Sequence, residues 1–309
     1  MARSFSDWIE RQSLVASQLK VLYVPTLKAG CTSVMWALAG AEGTVAPASD
    51  VSELADQSQD QAIHNPRIHG LPSLSTLSAS DRDSILSGPE WIRFCVTRDP
   101  YSRILSAWLN RAFLYSTGAE ARFVSADTSL EPFPASGDTS VDIGLRFRSF
   151  VRRLTKDSKS DHVDAHFATQ YSLTRPDIFP YTDVVRLSDL GDFADRIATT
   201  IPSRSEFHPL VRNVSLGVRA EEMIDAPTAA LINEYYAEDF KRFDYPTKTF
   251  PFVAEPMVFT ARETALVRML LERSDRLREL ASLTNPPRPV RDGMKRVSDA
   301  ISRRVRPNR

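Results

Sequence analysis

A chain of 309 residues with 42% hydrophobic and 25% charged side chains has the composition of an ordinary globular protein. Basic and acidic residues number 39 each, so the formal net charge is zero and the global positive field of a nucleic-acid binder is excluded. No apolar run approaches the roughly 20 residues of a membrane span, and Asp7 and Glu10 stand where an export signal needs an apolar core, so the sequence predicts a soluble, cytoplasmic protein.

In chain order, "KVLYVP" (20–25) is short, apolar, β-branched and closed by proline, which predicts a buried strand. "TSVMWALAGAEG" predicts a helix capped by Thr32 or Ser33 and ended at Gly40 or Gly43. Residues 44–60 read as a polar insertion. "WIRFCVTRDP" (91–100) predicts a second buried strand ending at Arg98, with Asp99 as N-cap and Pro100 at the first position of a helix. In that helix Ile104, Leu105, Trp108, Leu109, Ala112 and Phe113 recur at core-face spacing. Residues 116–142, rich in Ser, Thr, Pro and Gly, predict a long surface loop, and 143–154 an amphipathic helix. "YTDVVRLSDLGDFADRIATTI" predicts a strand and then a helix capped by Ser188. "APTAALINEYYAEDFKRFDYP" predicts one helix stopped before Pro246. "TARETALVRMLLERSDRLRELASL" predicts a long charged helix packed by Leu266, Leu270, Leu277 and Leu280.

Strand–helix alternation in the first half predicts a parallel sheet with helices on both faces, and such sheets bind ligands beyond the carboxyl ends of their strands. Two loops lie at such ends. In the first, Lys28 supplies a mobile cation, Thr32 and Ser33 supply hydroxyls, and the backbone amides at a helix start add an anion site. A strand–turn–helix with an exposed lysine is the plainer alternative, because the glycine spacing of a nucleotidase loop is absent. In the second loop Arg98 stands at a strand end, and Asp99, Ser102 and Ser106 follow on one helix face. A guanidinium there can meet a phosphate bidentately, or can simply pair with a carboxylate. Cys31 and Cys95 sit in apolar contexts and read as reduced thiols.

Together "VPTLKAGCTS" and "FCVTRDPYSRILSAW" resemble the two cofactor motifs of the carbohydrate sulfotransferases, the Golgi-type chondroitin and heparan enzymes of sulfotransferase family 2. "IHNPRIHGLPSL", "DAHFATQYSL", "YTDVVRLSDLGDF" and "YYAEDFKRFDYP" resemble further family segments in the same order, so the likeness spans roughly residues 20–247. It implies a P-loop-like three-layer α/β fold, with a central parallel β-sheet flanked by helices. It also implies 3′-phosphoadenosine-5′-phosphosulfate (PAPS) as donor, with PAP as product and no metal. By the resemblance Lys28, Ala29, Gly30, Cys31, Thr32 and Ser33 hold the 5′-phosphosulfate, and Arg98 and Ser106 hold the 3′-phosphate. The loop at 116–142 and everything past 250 match no family segment. The expected division is a sulfotransferase domain over 1–255 and a C-terminal helical extension over 256–309.

Sulfuryl transfer needs a group to take the acceptor's proton and a cation where charge builds on the phosphate, a role that suits Lys28. A histidine of ordinary basicity is neutral and receptive at neutral pH. Of His64, His69, His162, His166 and His208, His64 occupies the position resembling the family's catalytic histidine, and His69 is its nearest rival. His166 either lines the acceptor cleft or braces it. His208 opens a segment that approaches the cofactor in relatives, with Arg212 and Ser215 beyond it. The Asp161–His162 and Asp164–His166 pairs fit no closed zinc spacing.

Residues 288–309 carry eight Lys and Arg against Asp292 and Asp299, a net +6, with Val290, Met294, Val297, Ile301 and Val305 on one helical stripe. This reads as peripheral membrane contact, or equally as a packed terminal helix. The acceptor is expected to be a hydroxyl of a carbohydrate or glycolipid, chosen by residues 44–60, 116–142 and 155–180. Nucleic acid is not an expected partner. A nucleotide or small-molecule kinase and a non-catalytic membrane-associated binding protein are the alternatives. A kinase of this fold would normally carry a Walker glycine pattern, which is absent here.

Overall fold

A computed structural model of the chain describes residues 7–46, 62–113, 139–156, 164–199, 207–209 and 217–284. Helix α1 (Asp7–Gln12) leads into β1 (Leu14–Ala16), β2 (Val21–Val24) and α2 (Cys31–Ala41). Helices α3 (Pro66–His69) and α4 (Ala79–Ser87) precede β3 (Ile92–Thr97) and α5 (Pro100–Trp108), which continues into a π-helical turn over Leu109–Phe113. β4 (Val141–Asp142) and α6 (Ile143–Lys156) follow, then α7 (Gln170–Thr174), β5 (Asp183–Arg186) and α8 (Leu190–Ala198). The described chain closes with α9 (Ala220–Met223), α10 (Ala226–Tyr235), α11 (Ala237–Arg242), β6 (Val258–Phe259) and α12 (Ala261–Thr284).

The main sheet has the order β1–β2–β3–β5. β2, β3 and β5 are parallel, and β1 is an antiparallel edge strand that the sequence reading does not anticipate. Side chains alternate faces along each strand. Val21, Tyr23, Phe94, Val96 and Val185 point into one core with Met35 and Leu38 of α2 and Phe193 and Ile197 of α8. Leu22, Val24 and Cys95 point the other way, onto Ile9, Leu74, Ile85 and Trp91. Both faces are therefore covered, which gives the helix–sheet–helix layering of the expected P-loop-like α/β fold. Phe94 centres the first core, its ring 4.9 Å from Tyr23 and 4.8 Å from Phe193. Burying side chains of this size contributes about 1.5–3 kcal/mol each.

A separate helical core gathers α5, α6, α10 and α11 around Trp108, Phe147, Phe150, Ile232 and Tyr236. The apolar positions expected on the 100–113 helix are all buried there. β4 pairs with β6, Ile143 N donates to Met257 O, and Val267 of α12 is buried in the same core. The start of the expected C-terminal extension is thus tied to the domain by strand pairing. The basic segment 288–309 and most of the 116–142 loop lie outside the described residues.

Several local details differ from expectation. Strand β3 stops at Thr97, one residue before Arg98. Helix α2 is capped by Gly30 in the left-handed region (φ 79°), with no side-chain cap, and Thr32 and Ser33 fall inside its first turn. Asp189 rather than Ser188 precedes α8, because a 3₁₀ turn over Leu187–Asp189 intervenes. The helix expected over 226–245 breaks at Tyr236, whose buried hydroxyl donates to Phe167 O at 2.8 Å. On α12 the residues facing the core are Thr264 and Val267, while Leu266 and Leu270 are 49% and 50% exposed. Leu266 lies two residues past Thr264, about 200° around the helix, so the two cannot share a face. The side chains of Leu277 and Leu280 lie outside the described set.

Candidate active site

β2 and β3 are adjacent and parallel, so the loops that leave their carboxyl ends emerge side by side. The first loop runs from Pro25 to Gly30. Lys28 adopts a left-handed backbone (φ 67°), as does Gly30. Left-handed geometry at Lys28 costs about 1 kcal/mol or more for a residue with a Cβ, and two arginines offset it. Arg103 Nε donates to Leu27 O at 2.9 Å, and Arg98 Nη1 donates to Lys28 O at 3.2 Å. Both carbonyls are thereby drawn toward α5. The first hydrogen bond of α2 runs from Val34 N to Gly30 O. The amides of Cys31, Thr32 and Ser33 stand before it, at the positive end of an eleven-residue helix.

The backbone favours Gly30 here: its φ is one that only glycine adopts cheaply, and a Cβ would also displace the terminal methyl of Leu187, 2.7 Å away. Gly30→Ala is expected to lower stability by about 1–2 kcal/mol and to weaken anion binding in step. Thermal unfolding checks this, and a variant with the Tm of wild type contradicts it.

The second loop begins at Arg98. Its guanidinium is half-buried, and burial pushes its basicity down from the ordinary value while the neighbouring Asp99 pulls it back. Nε donates to Ser102 Oγ at 3.1 Å, and Ser102 Oγ donates to Asp99 O. Asp99 caps α5 as expected, its carboxylate accepting from Ser102 N at 2.9 Å. The serine that meets Arg98 is therefore Ser102. Ser106 lies one turn farther along the same helix, is buried, and makes no hydrogen bond to Arg98 among the described residues.

His64 is exposed in the turn before α3, and its Nε2 lies 3.0 Å from Thr32 Oγ1. It also hydrogen-bonds the Cys31 thiol. Burial pushes that thiol up, but the His64 hydrogen bond and charge, the Lys28 charge and a Lys28 backbone hydrogen bond outweigh it, and the net shift is downward. His64, Cys31, Thr32 and Lys28 thus form one cluster at the start of α2. Cys95 lies on the far face of the sheet, where burial pushes its thiol well up. Both cysteines are free thiols.

His69 is 4% exposed, and its Nδ1 accepts from Leu71 N at 3.0 Å. Burial, and secondarily the charge of His64, lower its basicity. A neutral imidazole has one acceptor nitrogen, and here Leu71 uses it, so His69 braces the loop rather than offering a base. Its carbonyl also accepts from Thr44 Oγ1 at 2.7 Å. His166 Nδ1 lies 2.6 Å from the Asp164 carboxylate. His208 is exposed, while Asp161, His162, Arg212 and Ser215 fall outside the described residues.

Three buried polar residues reach this region that the sequence reading quotes only within longer family-like segments and gives no site role. Gln170 Oε1 accepts from Arg98 N at 2.8 Å, and its Nε2 donates to Arg98 O at 2.9 Å. Asp239, at the start of α11, accepts from Gln170 N and Tyr171 N at 2.9 and 2.8 Å. Burial raises its carboxyl pKa, against the pull of Arg103 and of these amides. Arg103 ties Leu27 O to Ala168 O, which it meets at 2.8 Å. One signal for Asp239 was present: a carboxylate between Tyr236 and Phe240 sits on an apolar face, where charge survives only when paired.

A model of the sulfotransferase family matches residues 11–246. Curated relatives are the proteins named carbohydrate sulfotransferase 10 of Danio rerio, Xenopus laevis and Gallus gallus. The first is 26% identical over 50% of this chain, a region that takes in 40% of the relative's own length. The second and third are 23% and 24% identical over 81% and 79% of this chain, and 71% and 69% of theirs. No solved structure matches. With a family match over residues 11–246, most of its length, the chain belongs to the sulfotransferase family.

Proposed function

We propose that the protein transfers sulfate from PAPS to a hydroxyl of a carbohydrate or glycoconjugate. The observation that carries the reading is the hydrogen bond from Arg98 Nη1 to Lys28 O, which joins two cationic loops at the carboxyl edge of the sheet. The residues present suit a nucleotide with two separate anionic groups. The α2 amides, Lys28 and the Cβ-free cradle at Gly30 fit the 5′-phosphosulfate, while Arg98, with Ser102 and the family-matched Ser106, fits the 3′-phosphate. The donor, when bound, supplies a sulfuryl group already activated on phosphate. Lys28 stabilises the charge that grows on the phosphate side, and its nearby amides add fixed dipoles. His64, exposed and oriented by Thr32, takes the proton of the attacking hydroxyl. The carbohydrate acceptor is supported by the names of the relatives. A glycolipid acceptor, and a cytoplasmic placement with 288–309 against an anionic membrane, belong to the proposal on composition alone.

The first test is ligand choice. Adenosine 3′,5′-bisphosphate at 100 times its Kd should add about 2.7 kcal/mol of stability without Mg²⁺, several degrees in Tm. Stabilisation by Mg-ATP alone would instead point to the kinase reading.

A further inference from the structure

We infer that Gln170 and Asp239 are positioning residues that set Arg98 for the 3′-phosphate of the nucleotide, through hydrogen bonds to the backbone of Arg98 rather than to its side chain. The inference rests on the reading of Arg98 as the 3′-phosphate anchor.

Arg98 is the first residue past the end of β3, so its amide and carbonyl have left the sheet ladder. Gln170 replaces that ladder with a paired exchange, accepting from Arg98 N at 2.8 Å and donating to Arg98 O at 2.9 Å. A primary amide is the side-chain group that can present one acceptor and one donor side by side to a single residue's backbone. A second residue fixes which way round that amide sits. Asp239 Oδ2, which accepts from Gln170 N, also lies 3.4 Å from Gln170 Nε2 as acceptor, so Nε2 faces Asp239 and Arg98 O while Oε1 is left for Arg98 N. Asp239 also holds the backbone of Gln170 and Tyr171. Gln170 and Asp239 are both fully buried, so the bonds between them are made away from bulk water, while those to Arg98 are part-buried.

The surroundings tie the same segment from other sides. Tyr236 OH donates to Phe167 O, Arg103 Nη1 donates to Ala168 O, and Thr169 caps α7 by accepting from Ser172 N. Asp239 can reach α7 because the helix breaks at Tyr236 and restarts as α11. Arg98 thus emerges from the sheet into a frame built by α7 and α11, with its guanidinium carried to Ser102 and Lys28 O. A guanidinium meets phosphate productively only in a narrow geometry, and its backbone must be placed before that geometry is available.

The test is nucleotide preference measured by binding, independent of turnover. Dissociation constants for adenosine 3′,5′-bisphosphate and for adenosine 5′-monophosphate are measured on wild type, Arg98→Ala, Gln170→Glu and Asp239→Asn, with Tm for each. Gln170→Glu keeps size and one acceptor, but sets a second oxygen against Arg98 O and Asp239. Its preference for the 3′-phosphorylated nucleotide should fall by about tenfold or more, with 5′-monophosphate binding within about twofold of wild type. Asp239→Asn, which leaves Gln170 in place but frees its amide to flip, should shift the preference in the same direction by less. A purely structural role would weaken both nucleotides together, and that result overturns the inference. So does wild-type preference in either variant. If Gln170→Glu does not fold, Gln170→Asn, which withdraws the amide by one methylene, carries the same expectation and the same refutation. A wild type indifferent to the 3′-phosphate would sink the underlying reading of Arg98. A preference lost in Arg98→Ala but kept in Gln170→Glu would sink this inference alone.

Discussion

Replacing His64 with alanine should lower kcat for sulfate transfer by about 10²–10⁴-fold, the usual contribution of a positioned general base. Nucleotide affinity should change little, because His64 meets the loop through Thr32 Oγ1 and the Cys31 thiol rather than through the amides of α2. The variant carries a second signature. Burial pushes the Cys31 thiol up, and the hydrogen bond and charge of His64 are the foremost influences pulling it down. With His64 gone, the Cys31 pKa rises. Thiolate is then lost at every pH between the wild-type and variant values, which ultraviolet titration of the thiolate reads directly. A folded His64→Ala protein with near-wild-type kcat places the base elsewhere. His166, whose Nδ1 pairs with the Asp164 carboxylate at 2.6 Å, is then the histidine to replace. His69 is not the substitute, because its acceptor nitrogen already receives the Leu71 amide.

Lys28→Ala should cost about 10²–10³-fold in kcat, the scale for removing one preorganised donor to developing charge. The substitution is clean for a physical reason. The contact that joins the two loops uses the Lys28 carbonyl, accepting from Arg98 Nη1, and alanine keeps that carbonyl. The left-handed backbone at this position is strained for lysine and alanine alike. Binding of adenosine 3′,5′-bisphosphate should fall far less than kcat, since Arg98 and the α2 amides remain. A loss of binding with kcat unchanged would assign Lys28 to ground-state recognition instead of charge stabilisation.

Much of this fold is legible without coordinates, because it rests on short-range physics. The β-branched run ending at Pro25 and the run before Arg98 each announce a buried strand. Asp99 followed by Pro100 announces a helix start, and the structure places the Asp99 carboxylate on Ser102 N. The pairing of a lysine loop with an arginine loop, read together, identifies the family. The misreadings are equally physical. Thr32 and Ser33 look like caps because both are good caps, but Gly30 takes the role by adopting a left-handed turn that leaves the α2 amides open. Leu266 and Leu270 look like a core stripe, but β6 enters α12 at a rotation that buries Thr264 and Val267 instead.

The sequence alone determined that the runs ending at Pro25 and before Arg98 become strands with helices after them, and which residue types could grip two anions. These depend on spacing, backbone propensity and charge within a few residues. Tertiary structure alone decided how the grip is held. His64 reaches Thr32 across 32 positions, Gln170 reaches Arg98 across 72, and Asp239 reaches Gln170 across 69. No periodicity encodes such contacts. They exist because the parallel sheet brings its carboxyl ends to one edge and because a helix breaks at Tyr236, turning Asp239 inward.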